Sequence, residues 1–369
     1  MAGRRVLVVL NLKPAKMRDV MSYGMAQFLP LALVTAVAVG CAFPAPGVAA
    51  GRLPGLTALV TTAMFVISGL QLRQGEAAQA LKARGAVAYG LASILLLTPL
   101  AALAVLRLPL QPELAVGLAV FCCMPTALSS GVTLTQALGG NVALALLLTV
   151  ATNTLGVFTM PLMLPALLGP ALAGGAAAGL EPAPLLVKLV KSVLLPTLVG
   201  AGARAFVPGA AAFVDARRKY LAYANALLLA LVPWTQISAA VASRMPLSAG
   251  SLLGAGAAAV GVHFAFLALN TAACRRVWIG ASTELFQFGA ASDPASAAGL
   301  RRALVLTSSV KTLPVAVAVL AGIGPALGPA AGVAVIPALM AHLGQIVIDS
   351  VLVARWRAAD AAAAAAKAA

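Results

Sequence analysis

The sequence predicts an all-α polytopic membrane protein: ten transmembrane helices arranged as two inverted five-helix repeats, with helices four and nine discontinuous. Three observations predict it. The chain is 62% apolar and only 9% charged, against roughly 45–50% and about 25% in soluble domains. Ten segments approach the ~20 apolar residues that a span needs at 1.5 Å rise per residue. Positive charge gathers on alternate connections between them, as the positive-inside rule requires. A net charge of +16 would point to nucleic acid in a soluble chain. Here the basic residues sit in short loops between apolar runs, so topology accounts for them and no nucleic-acid partner is expected.

Taken in order, residues 1–24 carry Arg4, Arg5, Lys13, Lys16 and Arg18 against Asp19 and read as a basic flank. The apolar run Val6–Leu10 is short for a signal-peptide core; the flank reads alternatively as the remnant of an organelle-targeting segment. The first repeat, 25–170, contains apolar segments at 25–43, 53–72, 85–106, 113–137 and 141–168. The second, 183–357, contains 183–206, 219–241, 249–272, 301–322 and 330–355. Pro/Gly-rich residues 43–47 and the pair Glu181-Pro182 read as loops. Residues 358–369 form an Ala-rich, low-complexity tail.

One side collects the basic flank, Arg73/Lys82/Arg84, Arg204/Arg217/Arg218/Lys219, Arg275/Arg276 with Arg301/Arg302, and Arg355/Arg357. The other has Arg52, Arg107 and Arg244, with Lys188 and Lys191 placed to snorkel. An even number of spans puts both termini on the cytoplasmic side or its topological equivalent. It also starts the two five-span sets from opposite sides, the geometry of an inverted repeat. Phe28-Leu29-Pro30 is echoed by Leu194-Leu195-Pro196.

A second echo carries the functional signal. Ser129-Ser130-Gly131-Val132-Thr133-Leu134 in segment four resembles Ser308-Ser309-Val310-Lys311-Thr312-Leu313 in segment nine, where Pro314 follows. Polar, Gly/Pro-broken backbone at membrane depth is tolerated only where protein or a wet cavity satisfies it. Such a pair at matching positions in two halves points to a transporter's midplane binding site. Half-helix ends there offer N–H groups to anions and carbonyls to cations. Ser129, Ser130, Thr133, Thr307, Ser308, Ser309 and Thr312 add neutral oxygens suited to a weakly bound cation, or else cap the broken backbone.

Lys311 is the most costly residue to place. It lies about 15 Å beyond Arg301 along a helix, at a depth where a charge costs about 2.5–3.5 kcal/mol on insertion scales. It either pairs with Asp349 on segment ten or attracts an anionic substrate, or does both. Asp349 alternatively bonds interfacial water. His342, Gln345 and Asp349 recur at three- and four-residue steps and share one helix face. Among Asn153, Asn270, Gln236, Gln345, His263 and His342, most are expected to be interhelical hydrogen bonds; Asn153 and Gln345 are the site-lining candidates. The histidines make no metal case. The four cysteines, Cys41, Cys122, Cys123 and Cys274, lie in or beside apolar segments with no metal spacing, and no disulfide is expected.

The string Phe121-Cys122-Cys123-Met124-Pro125-Thr126-Ala127-Leu128-Ser129-Ser130-Gly131-Val132, followed by Gly139-Gly140-Asn141, resembles the bile acid:sodium symporter family. Val232-Pro233-Trp234, Ser309–Pro314 and Ala341–Ser350 extend the resemblance over roughly 20–357, specifically to the plastid sodium/metabolite cotransporter branch of plants and algae. The resemblance implies a panel and a core domain with the unwound fourth and ninth helices crossing in the core, and sodium as coupling ion. Ser130 and Thr149 match family sodium ligands. Gly131 stands in place of an asparagine, Ala145 in place of a hydroxyl, and Lys311 stands near a family glutamate. An ammonium there would act as a built-in cation.

The resulting expectation is a secondary carrier for a small organic anion in the plastid envelope or, alternatively, the plasma membrane. It is sodium-coupled, or else sodium-independent or proton-linked with Lys311 as the fixed cation. No organic cofactor and no obligate protein partner are expected beyond the substrate and the lipid bilayer. A passive channel is a further alternative. An intramembrane enzyme would need a Ser309–Lys311 dyad, for which no oxyanion arrangement is evident.

Overall fold

The computed structural model describes residues 28–72, 83–127, 130–171, 180–242, 248–279, 294–327 and 332–368. The basic flank and Ser129 lie outside them. The described residues are helical, without strands. In chain order the helices are α1 (Phe28–Ala42), α2 (Pro44–Gly51), α3 (Leu56–Leu70), α4 (Arg84–Val105), α5 (Pro112–Cys122), α6 (Ser130–Ala137) and α7 (Val142–Leu168). Then follow α8 (Pro182–Phe206), α9 (Ala210–Ala216), α10 (Arg218–Ala242), α11 (Ala249–Ile279), α12 (Pro294–Ser309), α13 (Leu313–Leu327) and α14 (Val335–Ala368).

Every apolar segment read from the sequence carries at least one helix. Among the described residues, seven spans are long and apolar enough to cross a membrane, one of them running from α12 through α13. An eighth results if α1 and α2, bent by 103°, count as one span. The shorter α3 and α5 are also apolar. This is a multi-pass membrane protein. The Ala-rich tail, read as low-complexity sequence, continues α14, and Asp360 within it receives both carboxylate bonds from Arg302 at 2.6 Å.

The punctuation follows local chemistry. Asn141 caps α7, its Oδ1 accepting from Leu144 N at 2.9 Å. Proline opens α5 and α8 at Pro112 and Pro182, where the first helical turn needs no N–H. Pro125 ends the possibility of continuing α5, because it lacks an N–H and disfavours helical geometry at Met124. Pro314 sits in the first turn of α13 and cannot bond back into α12. Val310, Lys311 and Thr312 are therefore left non-helical between the two half-helices.

Two packed groups result. α8 lies against α3, and α10 runs along α1, α2 and α3. The closest approach is reciprocal: a Cβ on Gly69 would strike Thr197 O, and one on Gly200 would strike Val66 O. Small residues permit this backbone contact between membrane helices. In the second group α14 packs on α11 and α5, and α12 on α11, α6 and α7. The helix breaks are in this second group.

Candidate functional site

The site is built where the two broken helices meet. Thr312 N donates to Pro125 O at 3.0 Å, joining one break to the other. Thr126 Oγ1 donates to Thr307 O at 2.5 Å. Gly131, in the first turn of α6, faces the Cγ2 methyls of Val310 and Thr307. From α7, Asn153 Nδ2 donates to Thr126 O at 3.0 Å and to Thr149 O at 2.8 Å.

Gln345 on α14 clamps the second break with both ends of its amide. Oε1 accepts from Lys311 N at 2.9 Å, and Nε2 donates to Lys311 O at 2.7 Å. Asn270 on α11 binds four partners: Oδ1 accepts from Tyr89 OH and Ser93 Oγ, while Nδ2 donates to Phe266 O and Ser309 Oγ. That exhausts its hydrogen-bonding capacity and ties α4, α11 and α12 together just below the break.

Lys311 is fully buried. Its Nζ donates to Ile94 O at 3.0 Å, Thr98 Oγ1 at 2.8 Å and Met124 O at 2.8 Å. Three hydrogen bonds from a charged group contribute about 1.5–3 kcal/mol each, enough to offset the insertion cost of about 2.5–3.5 kcal/mol. Among the described residues the ammonium is held by neutral oxygens, without a carboxylate.

The expected Lys311–Asp349 pair is therefore corrected. Asp349 Oδ1 bonds His263 Nε2 at 2.8 Å, within the buried face between α11 and α14. The lysine side chain turns toward α4 and the end of α5, away from α14, whose Gln345 meets the Lys311 backbone while Asp349, one turn on, meets His263 of α11. The Ser309–Lys311 dyad is not assembled either: Ser309 Oγ is engaged by Asn270 and the ammonium by three other oxygens.

The other sequence candidates divide. Ser130, Thr149, Asn153, Thr307, Ser308, Thr312 and Gln345 lie at or beside the crossing. Thr149 and Thr307 donate to carbonyls one turn back, Ala145 O and Ala303 O. Thr133 is on the exposed side of α6. Buried Ser130 Oγ, Asn153 Oδ1, Ser308 Oγ and Thr312 Oγ1 have no partner among the described residues. Sequence reasoning missed Thr98, Thr126 and the carbonyls of Ile94 and Met124. The available signal was proline: Thr98-Pro99 and Met124-Pro125 each place an acceptor next to a residue without an N–H.

Asn153 also reaches the seam between the two packed groups. There a cleft of about 30 Å³ is lined by Phe65 and Ser68 of α3, Val150, Asn153 and Thr154 of α7, and Val193 and Thr197 of α8. In this conformation it admits on the order of two waters.

A multi-pass helical protein with two broken helices meeting at buried polar breaks has the build of a membrane transporter. The chain belongs to the SBF-like CPA transporter family, whose profile matches residues 27–358, in agreement with the bile acid:sodium symporter resemblance. It is 40% identical over 339 residues to a rice protein described as a probable chloroplastic sodium/metabolite cotransporter, BASS4. That match covers 92% of this chain and 77% of the rice protein. The protein of the same description from Arabidopsis thaliana is 39% identical over 340 residues, covering 92% and 74%. An uncharacterized protein of Pseudomonas aeruginosa is 26% identical over 355 residues, covering 93% and 98%.

Proposed function

We propose that the chain is a secondary active transporter of a small organic anion in the plastid envelope, linked to sodium and working by alternating access. The observation that carries this reading is the crossing itself: two helix breaks bonded to each other, one fixed cation, and unpartnered neutral oxygens on Ser130 and Asn153. In this reading ten crossings form two inverted repeats, 25–170 and 183–357. The group of α1, α2, α3, α8 and α10 acts as the panel, and the group bearing the breaks acts as the core. Rocking of one group on the other opens the narrow cleft at Asn153 to either side in turn.

Ser130 Oγ, Asn153 Oδ1 and the lone pairs of Thr149 Oγ1 are neutral oxygens of the type a weakly held sodium takes. Sodium linkage and a plastid setting are also what the descriptions of the rice and Arabidopsis relatives suggest. The substrate anion is drawn by Lys311 and by the N-terminal turns of α6 and α13, where free N–H groups carry partial positive charge.

Purified protein in proteoliposomes should take up one or more of a panel of small carboxylates saturably, with counterflow, and faster under an inward sodium gradient. Unsaturable flux without counterflow would identify a passive channel instead. Uptake indifferent to sodium would leave Lys311 as the sole cation at the crossing, the second reading that its buried three-oxygen environment favours.

A further inference from the structure

The oxygens around Lys311 Nζ are left available by the local backbone geometry. Residues Ser93–Leu97 of α4 form a π-helical turn, in which the donor to residue i is the N–H of residue i+5. Thr98 N fills this rung at Ser93 O. The next rung, to Ile94 O, would come from residue 99, which is proline and has no N–H. Met124 O lies in the non-helical stretch after α5, next to Pro125. Thr98 Oγ1 donates to Ser93 O at 2.8 Å and so presents its lone pairs to the ammonium. The Phe266 ring, its centroid 5.6 Å from Nζ, closes another side.

Two carbonyls, one hydroxyl and an aromatic face match the three N–H donors and diffuse charge of a primary ammonium. A bare sodium ion would find only three oxygens there. We propose that this cage is a binding site for a small primary ammonium ion, and that the chain fills it with its own side chain. Removing the side chain beyond Cβ leaves a buried void of roughly n-propylammonium shape with its polar end still lined by the three oxygens. The binding claim stands on the cage alone. Its transport consequence rests on the carrier reading: a cation tethered at the crossing replaces one soluble cation in each cycle.

The test uses purified, detergent-solubilised full-length protein. Lys311→Ala should gain thermal stability on titration with n-propylammonium, by about 3 °C or more at saturation. Wild type, whose cage is full, should not respond, nor should Lys311→Met, whose side chain occupies the void. Tetramethylammonium, which has no N–H to donate, should leave Lys311→Ala unchanged. Adding Thr98→Val to Lys311→Ala should weaken the n-propylammonium response about ten-fold in concentration. Equal stabilisation of Lys311→Ala by sodium at similar concentrations would overturn the assignment to a primary ammonium ion.

No response of Lys311→Ala to any of these cations, or an equal response in wild type, overturns the proposal. Should Lys311→Ala fail to accumulate, expression with n-propylammonium in the medium should recover folded protein, and failure to recover it overturns the proposal equally. Carboxylate uptake by the wild type is scored separately. Its absence removes the carrier reading while leaving the cage result intact, and its presence with an unresponsive Lys311→Ala does the reverse.

Discussion

The two helix breaks are bonded to each other, yet they are held very differently. The second, between α12 and α13, is anchored: Gln345 grips the backbone of Lys311 from both sides, Asn270 holds Ser309, and the ammonium reaches back to α4 and α5. The first, between α5 and α6, is tied by a few bonds to the second break and to Asn153. It carries no charge, and Ser130 Oγ there has no partner among the described residues. The second break brings its own cation and a rigid mount, while hydroxyls without a partner among the described residues lie at both, Ser130 at the first and Ser308 and Thr312 at the second. The difference teaches that two breaks that meet need not be built alike: the charge and the heavier anchoring both fall to the second.

If this division is right, the largest effect belongs to the fixed cation. Lys311→Ala should lower uptake at least about 100-fold, equivalent to about 2.7 kcal/mol, with the protein still inserted. Lys311→Arg should not restore it, because a planar fork does not fit a cage shaped for a compact ammonium. Normal transport by Lys311→Ala would erase the distinction between the breaks.

The next effect tests whether Asp349 belongs to the same unit. Asp349→Ala strands His263 in a buried layer and should cost about 3 kcal/mol of stability. In the double variant with Lys311→Ala, the two stability losses should add within about 0.5 kcal/mol, as for sites without a shared partner. A larger coupling energy would restore the ion pair that the geometry does not show.

Smaller again are the neutral oxygens of Ser130 at the first break and of Thr149 and Asn153 on α7. Ser130→Ala, Thr149→Ala and Asn153→Ala should each raise the half-saturating sodium concentration about ten-fold, as for loss of a ligand worth about 1–2 kcal/mol. Unchanged sodium dependence in all three would make them backbone caps. The smallest effect is expected at Gly131, where a Cβ would meet Val310 Cγ2 at 3.3 Å and Thr307 Cγ2 at 3.4 Å. Gly131→Ala should lower stability by about 1 kcal/mol, read as a small drop in thermal midpoint. A longer side chain there would have to displace the methyls now filling the crossing.

Much of this was legible in the sequence, for identifiable reasons. The second break could be located because hydroxyl residues and Pro314 interrupt an apolar run, whereas the first lies earlier than the hydroxyl string, at Met124–Ala127, and Ser130–Leu134 are helical; Lys311 stood out because charge at that depth must be accommodated. The partners of Lys311 were hidden because two of them are carbonyls of Ile94 and Met124, residues that hydropathy scores as apolar. The choice of Asp349 as partner failed on side-chain direction: the shared face does reach Lys311 through Gln345, but the lysine side chain leaves the other way and Asp349, one turn on, meets His263. Rotation also separates Ser130 Oγ, buried at the crossing, from Thr133, exposed three residues later. Asn270 was visible as a polar residue, but its role as a four-way tie depends on α4 lying alongside α11.

The reciprocal glycine contact of α3 and α8 has a mechanical consequence. With Gly69 against Thr197 O and Gly200 against Val66 O, the two helices touch backbone to backbone, with no side-chain layer between them to shear. They behave as a riveted plate assembled from both halves of the chain. The cleft beside them has that plate as two of its walls and α7 as the third. In the proposed alternating-access cycle, widening it would therefore fall to the wall that carries Asn153, whose Oδ1 has no partner among the described residues.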